Sequence, residues 1–174
     1  GRLDVMDSVG LRVLDYYARQ QAGPLDADAL GRRARALHLV GQIAELRGQL
    51  DEAGRVLERA AETTAELLQR HPDDGQRVFD HAQSVFWVGY VAYQRGRLEA
   101  AEAAFVQYRD LAERLTKLGP ERPDWQAELG MAYSNLGTVL LDRGRPADAL
   151  QALRRTRQRH QALLPRRPDL GMEL

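Results

Sequence analysis

The chain of 174 residues contains no cysteine, a single lysine (Lys117), three phenylalanines and two tryptophans, and its 25 basic and 25 acidic side chains leave no net charge. Each shortage excludes something. Without thiols there are no disulfides and no thiolate metal sites, and the composition fits a reducing compartment. Charge balance removes the global field that draws proteins to phosphate backbones or anionic lipid. No apolar run approaches the roughly 20 residues that span a bilayer, and the N-terminus lacks the apolar core of a signal peptide. The expected location is therefore cytoplasmic, with no membrane partner and nucleic acid disfavoured. With one lysine, arginine supplies nearly all the positive charge, a bias expected of a GC-rich bacterial genome.

Catalytic constellations are missing as well. His38, His71, His81 and His160 have no metal-like spacing with carboxylates or with one another, and they are expected at the surface or in a groove. Ser8, Ser84 and Ser134 stand in no nucleophile-elbow context, and no glycine-rich loop is built to cradle phosphate. Neither enzyme activity nor a metal or cofactor is expected.

What the sequence does contain is repetition. RGQLDEA at 47–53, RGRLEAA at 95–101 and RGRPADA at 143–149 are each displaced by 48 residues. Six columns are identical in all three copies: Gly41/Gly89/Gly137, Arg47/Arg95/Arg143, Gly48/Gly96/Gly144, Ala53/Ala101/Ala149, Leu67/Leu115/Leu163 and Pro72/Pro120/Pro168. One fixed period signifies a stacked array, in which each unit buries its apolar face against its neighbours.

Within each unit the residues predict two helices. Leu37, Val40, Gly41 and Ala44 recur at spacings of three and four, as do Val85, Val88, Gly89 and Ala92, and Tyr133, Leu136, Gly137 and Leu140. This first helix should end at the Arg-Gly pair, where glycine can take the left-handed conformation and arginine faces the negative end of the helix dipole. A second helix starts with Asp51 and Glu52, with Glu99, or with Pro146. Its apolar stripe runs Ala53, Leu57, Ala60 and Leu67, then Ala101, Phe105, Tyr108 and Leu115, then Ala149, Leu153 and Leu163. Pro72, Pro120 and Pro168 stop it, and Asp73, Glu121 and Asp169 behind them suit the start of the next helix. Short connections force successive helices to lie antiparallel.

The domain reading follows: an N-terminal helix over 1–22 as a partial repeat or cap, repeats over 23–70, 71–118 and 119–166, and the start of a truncated repeat over 167–174. Because it opens on Gly1 and stops inside a repeat, the chain is expected to be a segment of a longer protein.

The columns resemble the tetratricopeptide repeat. Gly41/Gly89/Gly137 stand for its first-helix glycine, Gly48/Gly96/Gly144 for its turn glycine and Ala53/Ala101/Ala149 for its second-helix alanine. Leu57, Phe105 and Leu153 occupy its large apolar position. The period departs from the family's ordinary 34 residues, as if one heptad had been added to each helix. A small residue on the first helix is expected to face the alanine on the second, letting the backbones approach.

The resemblance implies an all-α fold, an α-solenoid of antiparallel helix hairpins, and a concave wall built from the first helices. It places Arg35, His38, Leu39, Gln42 and Glu45 there from the first unit. From the second it takes Gln83, Phe86, Trp87, Tyr90 and Gln94, and from the third Met131, Ser134, Asn135, Thr138 and Asp142. The family's Lys/Asn clamp for a terminal carboxylate is unsupported, since only Asn135 matches. Phe86, Trp87, Tyr90 and Tyr93 fall so close together that a helix must turn some of them inward, and Trp87 is open between core and contact.

The function expected is a scaffold for a protein or peptide partner within a larger bacterial signalling or regulatory protein, binding through Arg35, His38, Gln42, Gln83, Trp87, Tyr90, Gln94, Asn135 and Thr138. One alternative is self-assembly into homo-oligomers through the repeat ends. The other is polyanion or nucleic-acid binding through Arg154, Arg155, Arg157, Arg159, Arg166 and Arg167, most of which should be solvated on the outer face of a helix.

Overall fold

The computed structural model describes residues 25–163, the side chains of His160, Ala162 and Leu163 excepted. The expected N-terminal helix over 1–22 and the start of a further repeat over 167–174 lie outside the described residues. Among those described there are six helices and no strand. They are α1 (Ala27–Leu46), α2 (Leu50–Arg70), α3 (Gly75–Gln94), α4 (Leu98–Leu118), α5 (Pro123–Asp142) and α6 (Pro146–Leu163). The first helix of each pair starts at Ala27, Gly75 or Pro123, which reproduces the displacement of the sequence copies. The chain divides into two compact units after Pro72.

Every hairpin closes in the same way. Gly48, Gly96 and Gly144 take φ of 74°, 69° and 71°. The glycine amide donates to Glu45, Tyr93 or Leu141 at 2.8–2.9 Å, and the next amide donates to Ala44, Ala92 or Leu140 at 2.9 Å. Both orphan carbonyls at the helix end are thereby satisfied, the arrangement a left-handed residue makes possible. A three-residue link between two long helices that pack together leaves them no orientation but antiparallel.

The helix starts differ. Asp26 caps α1 through the Ala29 amide at 2.7 Å. Asp74, not the expected Asp73, caps α3 through the amides of Gln76 and Arg77. At the start of α5 Arg122, not Glu121, holds the cap position, with Pro123 and Asp124 in the first turn. Proline needs no amide partner there and its φ is already helical.

In the first unit α1 and α2 bury Leu30, Leu37, Ile43 and Ala44 against Ala53, Val56, Leu57 and Leu67. In the second, α3 pairs with α4, α5 pairs with α6, and α4 packs along α5, so two hairpins stack. One core cluster joins Ala82, Val85, Tyr108, Leu129 and Tyr133, and a second joins Phe105, Leu136, Val139 and Leu140. The indole of Trp125 lies between the hairpins: a Cβ added at Gly75 would come within 2.3 Å of it, and one at Gly119 within 2.6 Å. Arg122 covers the ring, its guanidinium 4.2 Å from the centroid.

The repeat-column arginine of the third copy does more than face a dipole. Arg143 reaches from the end of α5 to Glu99 at 3.1 Å and to Glu102, both on α4, and so bridges the two hairpins.

The close-approach glycines lie nearest not to the expected alanine column, which is met only at Gly137 through the Ala149 carbonyl oxygen at 3.6 Å, but to another column. They face the large apolar one. A Cβ at Gly41 would meet Leu57 at 2.5 Å, at Gly89 Phe105 at 2.8 Å, and at Gly137 Leu153 at 2.8 Å. The physical reason is depth: the bulky side chain reaches across the hairpin and rests on bare backbone, whereas Ala101 and Ala149 sit deep within their own helix's buried face.

Two substitutions separate these glycine roles. Gly89→Leu drives a side chain into Phe105 and should lower unfolding free energy by about 1–3 kcal/mol. Gly96→Ala meets no neighbour within 4 Å, so its cost should be the left-handed backbone penalty alone, about 1–2 kcal/mol. Urea denaturation with unchanged midpoint for either variant contradicts the corresponding assignment.

Candidate functional site

The predicted contact residues fall on both units, and each set is taken by itself. On α1, Arg35 is exposed while His38 and Gln42 are half-buried, and burial lowers the His38 imidazole below its ordinary pKa. Leu39 is 51% exposed beside them.

On α3, Gln83, Trp87, Tyr90 and Gln94 recur at spacings of four, three and four, which is one stripe. Gln94 is exposed and the other three are half-buried. Asn135 and Thr138 form the matching stripe on α5 with Met131, which is 44% exposed. The two helices touch directly. Tyr93 donates to Asp142 at 2.5 Å, joining one end of α3 to one end of α5. Asn135 and Thr138 donate back to the carbonyls of Met131 and Ser134 within their own helix.

The aromatic cluster resolves into an inner and an outer part. Phe86 packs against both core clusters, with ring centroids 5.6 Å from Tyr108 and 6.4 Å from Phe105. Trp87 and Tyr90 pack on its outer side at 5.5 and 5.9 Å, and stand edge to face with each other at 5.6 Å. Trp87 is thus neither core nor free: it is half-buried on a rigid aromatic base. Such a base holds an exposed ring edge in place at little entropic cost, as interface anchors require.

Gln83 departs from the expected role. Its amide donates to Glu128 on α5 at 2.8 Å, and the Tyr108 hydroxyl from α4 donates to the same carboxylate oxygen. Glu128 is only 7% exposed, and no arginine or lysine among the described residues pairs with it. Three helices therefore meet at a buried acid held by neutral donors. Burial pushes the Glu128 carboxyl above the usual carboxylate range and nearby Asp124 adds to the rise, while the bonds from Tyr108 and Gln83 pull the other way. Burial and the adjacent carboxylate push the Tyr108 phenol up as well.

This group was missed in the sequence, although a signal was present. Glu128 falls between Trp125, Leu129 and Ala132 on the buried stripe of α5, where an acid is out of place. His81 is a second correction. Expected at the surface or in a groove, it is buried in α3, with Gln107 of α4 3.3 Å from its Nε2, and burial lowers its pKa. Among the described residues no cluster of histidine and acidic side chains is arranged to hold a metal ion, and no helix is long and apolar enough to cross a membrane. Arg154, Arg155, Arg157 and Arg159 are exposed on α6, and Arg166 and Arg167 lie outside the described residues.

The Glu128 carboxyl has a signed consequence. A carboxylate whose pKa is raised by folding destabilises the folded state above that pKa, and the penalty disappears below the unfolded value of about 4.3. Glu128→Gln keeps an acceptor for both donors and removes the charge. Its melting temperature should exceed wild type at pH 7.5, with the advantage fading as pH falls towards 4. An advantage that is absent, or equal at both pH values, contradicts the assignment.

Residues 129–169 match the model of the tetratricopeptide repeat family. No curated protein matches the chain. Among solved structures, one titled DHF58 filament is similar at a TM-score of 0.51 with 18% identity, covering 93% of this chain and 81% of that one. BtubC from P. vanneervenii is similar at a TM-score of 0.44 with 16% identity, covering 94% of this chain and 75% of that one. At such identity the first likeness bears on fold alone. The matched segment takes in most of α5 and all of α6, the third copy of a hairpin whose turn glycine and close-approach glycine recur in all three, and over that segment the chain is similar to the tetratricopeptide repeat family.

Proposed function

We propose that the chain is a protein-interaction scaffold that grips an extended peptide or a partner helix along the stripes of α3 and α5. Helical repeat proteins of this family and fold serve as interaction or assembly scaffolds, and nothing in this reading asks for catalysis. The observation that carries it is the outer aromatic pair, Trp87 and Tyr90, seated on Phe86 and flanked by the polar side chains of Gln94, Asn135 and Thr138. Apolar edges anchor a partner side chain, and the amides and hydroxyls can hydrogen-bond its backbone. Arg35, His38 and Gln42 on α1 form a separate candidate contact set on the first unit. Gln83 contributes less, because its amide is engaged by Glu128. A place in a larger bacterial signalling or regulatory protein, within the cytoplasm, fits the same reading.

The test is quantitative capture. Immobilised wild type, Trp87→Ala and Tyr90→Ala are compared for partners retained from a lysate of the source organism, with thermal melts verifying each fold. Loss of about 2 kcal/mol of binding, roughly thirtyfold in affinity, is expected of a true anchor. Equal capture by all three proteins overturns the assignment of this face. Light scattering on purified wild type separates it from self-assembly, which would give concentration-dependent mass with no partner present.

A further inference from the structure

A different set of side chains lines an open crevice of about 330 Å³ between α4, α5 and α6. None of the stripe residues lines it. Val106, Leu136, Leu140 and Ala152 give it apolar walls, and Arg109, Arg145 and Arg155 bring three guanidinium groups to it against two carboxylates, Glu102 and Asp148.

The two carboxylates are already committed. Glu102 accepts from Arg145 at 2.7 Å and also from Arg143, and Asp148 accepts from Arg145 at 2.7 Å. Arg145 is therefore neutralised from both sides. Arg109 turns to its exposed sequence neighbour Asp110. Arg155 is different, because among the described residues no carboxylate pairs with it. Its Nη1 donates to the Tyr133 hydroxyl at 2.9 Å, and its guanidinium lies 5.3 Å from the centre of the same ring. Tyr133 in turn donates to Glu113 at 2.7 Å, which fixes the phenol that positions the guanidinium. An exposed planar cation is thus held at the edge of a crevice of mixed polar and apolar lining, with part of its donor fork unused. That fork matches a carboxylate in two parallel hydrogen bonds.

We propose that this crevice is a second binding site, for a small carboxylic acid with an apolar tail: the carboxylate sits on Arg155 with Arg109 beside it, and the tail lies on Val106, Leu136 and Leu140. The volume stands at the lower end of small-molecule sites, which span about 300–1,000 Å³, so a chain of about eight carbons suits it and a long acyl chain does not. Apolar walls and one uncommitted guanidinium favour this ligand over inorganic phosphate, which would leave the walls uncovered.

The probe is octanoate, titrated into the whole chain and followed by calorimetry and by amide and arginine Nε chemical shifts. Saturable binding is expected, with shifts centred on Tyr133, Leu140 and Arg155. Octanol, which has the tail and lacks the charge, should bind at least about tenfold more weakly, and inorganic phosphate at equal concentration should not compete. Arg155→Gln should weaken octanoate about ten- to a hundredfold, the usual worth of a charge-assisted pair. Should Arg155→Gln melt early, Arg109→Gln is the second variant, expected to weaken binding severalfold while keeping the Tyr133 contact. Absence of saturation, octanol binding as well as octanoate, competition by phosphate, or unchanged affinity in whichever variant folds would each overturn the site.

Discussion

The fold rests on how closely the two helices of a hairpin can approach. At Gly41, Gly89 and Gly137 there is no room for even a methyl group, because Leu57, Phe105 and Leu153 lie where it would go. Protein interiors pack like crystals, so a bulky side chain on one helix requires bare backbone on the other. Everything else in a hairpin is arranged around that contact. The left-handed glycine turn sets the direction of return, and Pro72 and Pro120 follow closely on the ends of α2 and α4.

Between hairpins the second unit relies on different chemistry. There the joint is partly polar: Gln83, Tyr108 and Glu128 bring three helices to one carboxylate, Arg143 bridges to Glu99 and Glu102, and Tyr93 meets Asp142. A buried acid without a cation is a poor source of stability, since desolvation opposes its charge. Its effect is positional, because an acceptor shared by two donors from different helices admits few alternative registers. The same stack turns Trp87 and Tyr90 outward on α3 and lines the open crevice beside Arg155, two surfaces of opposite character on one pair of hairpins.

Some of the candidate site was legible and some was not. The stripe of Gln83, Trp87, Tyr90 and Gln94 could be read because helical spacing puts these residues on one face, whatever that face meets. That Gln83 would be engaged by Glu128 could not, since the two are 45 positions apart and depend on how α3 and α5 settle side by side. His81 was misplaced for a related reason: imidazole is compatible with both surface and interior, and periodicity does not choose between them.

Local chemistry by itself determined the helices, the turns and the antiparallel pairing. Glycine at φ near 70°, proline without an amide hydrogen and apolar residues at spacings of three and four act over one or two turns of chain, so they can be read from a string of letters. Only the tertiary structure decided which partner each buried group found. Gly89 faces Phe105, Glu128 is shared by Tyr108 and Gln83, and Arg155, exposed like its arginine neighbours, rests against the Tyr133 ring. Those outcomes depend on the depth and rotation of one helix against another, and these are set by side chains far apart in the chain packing at once.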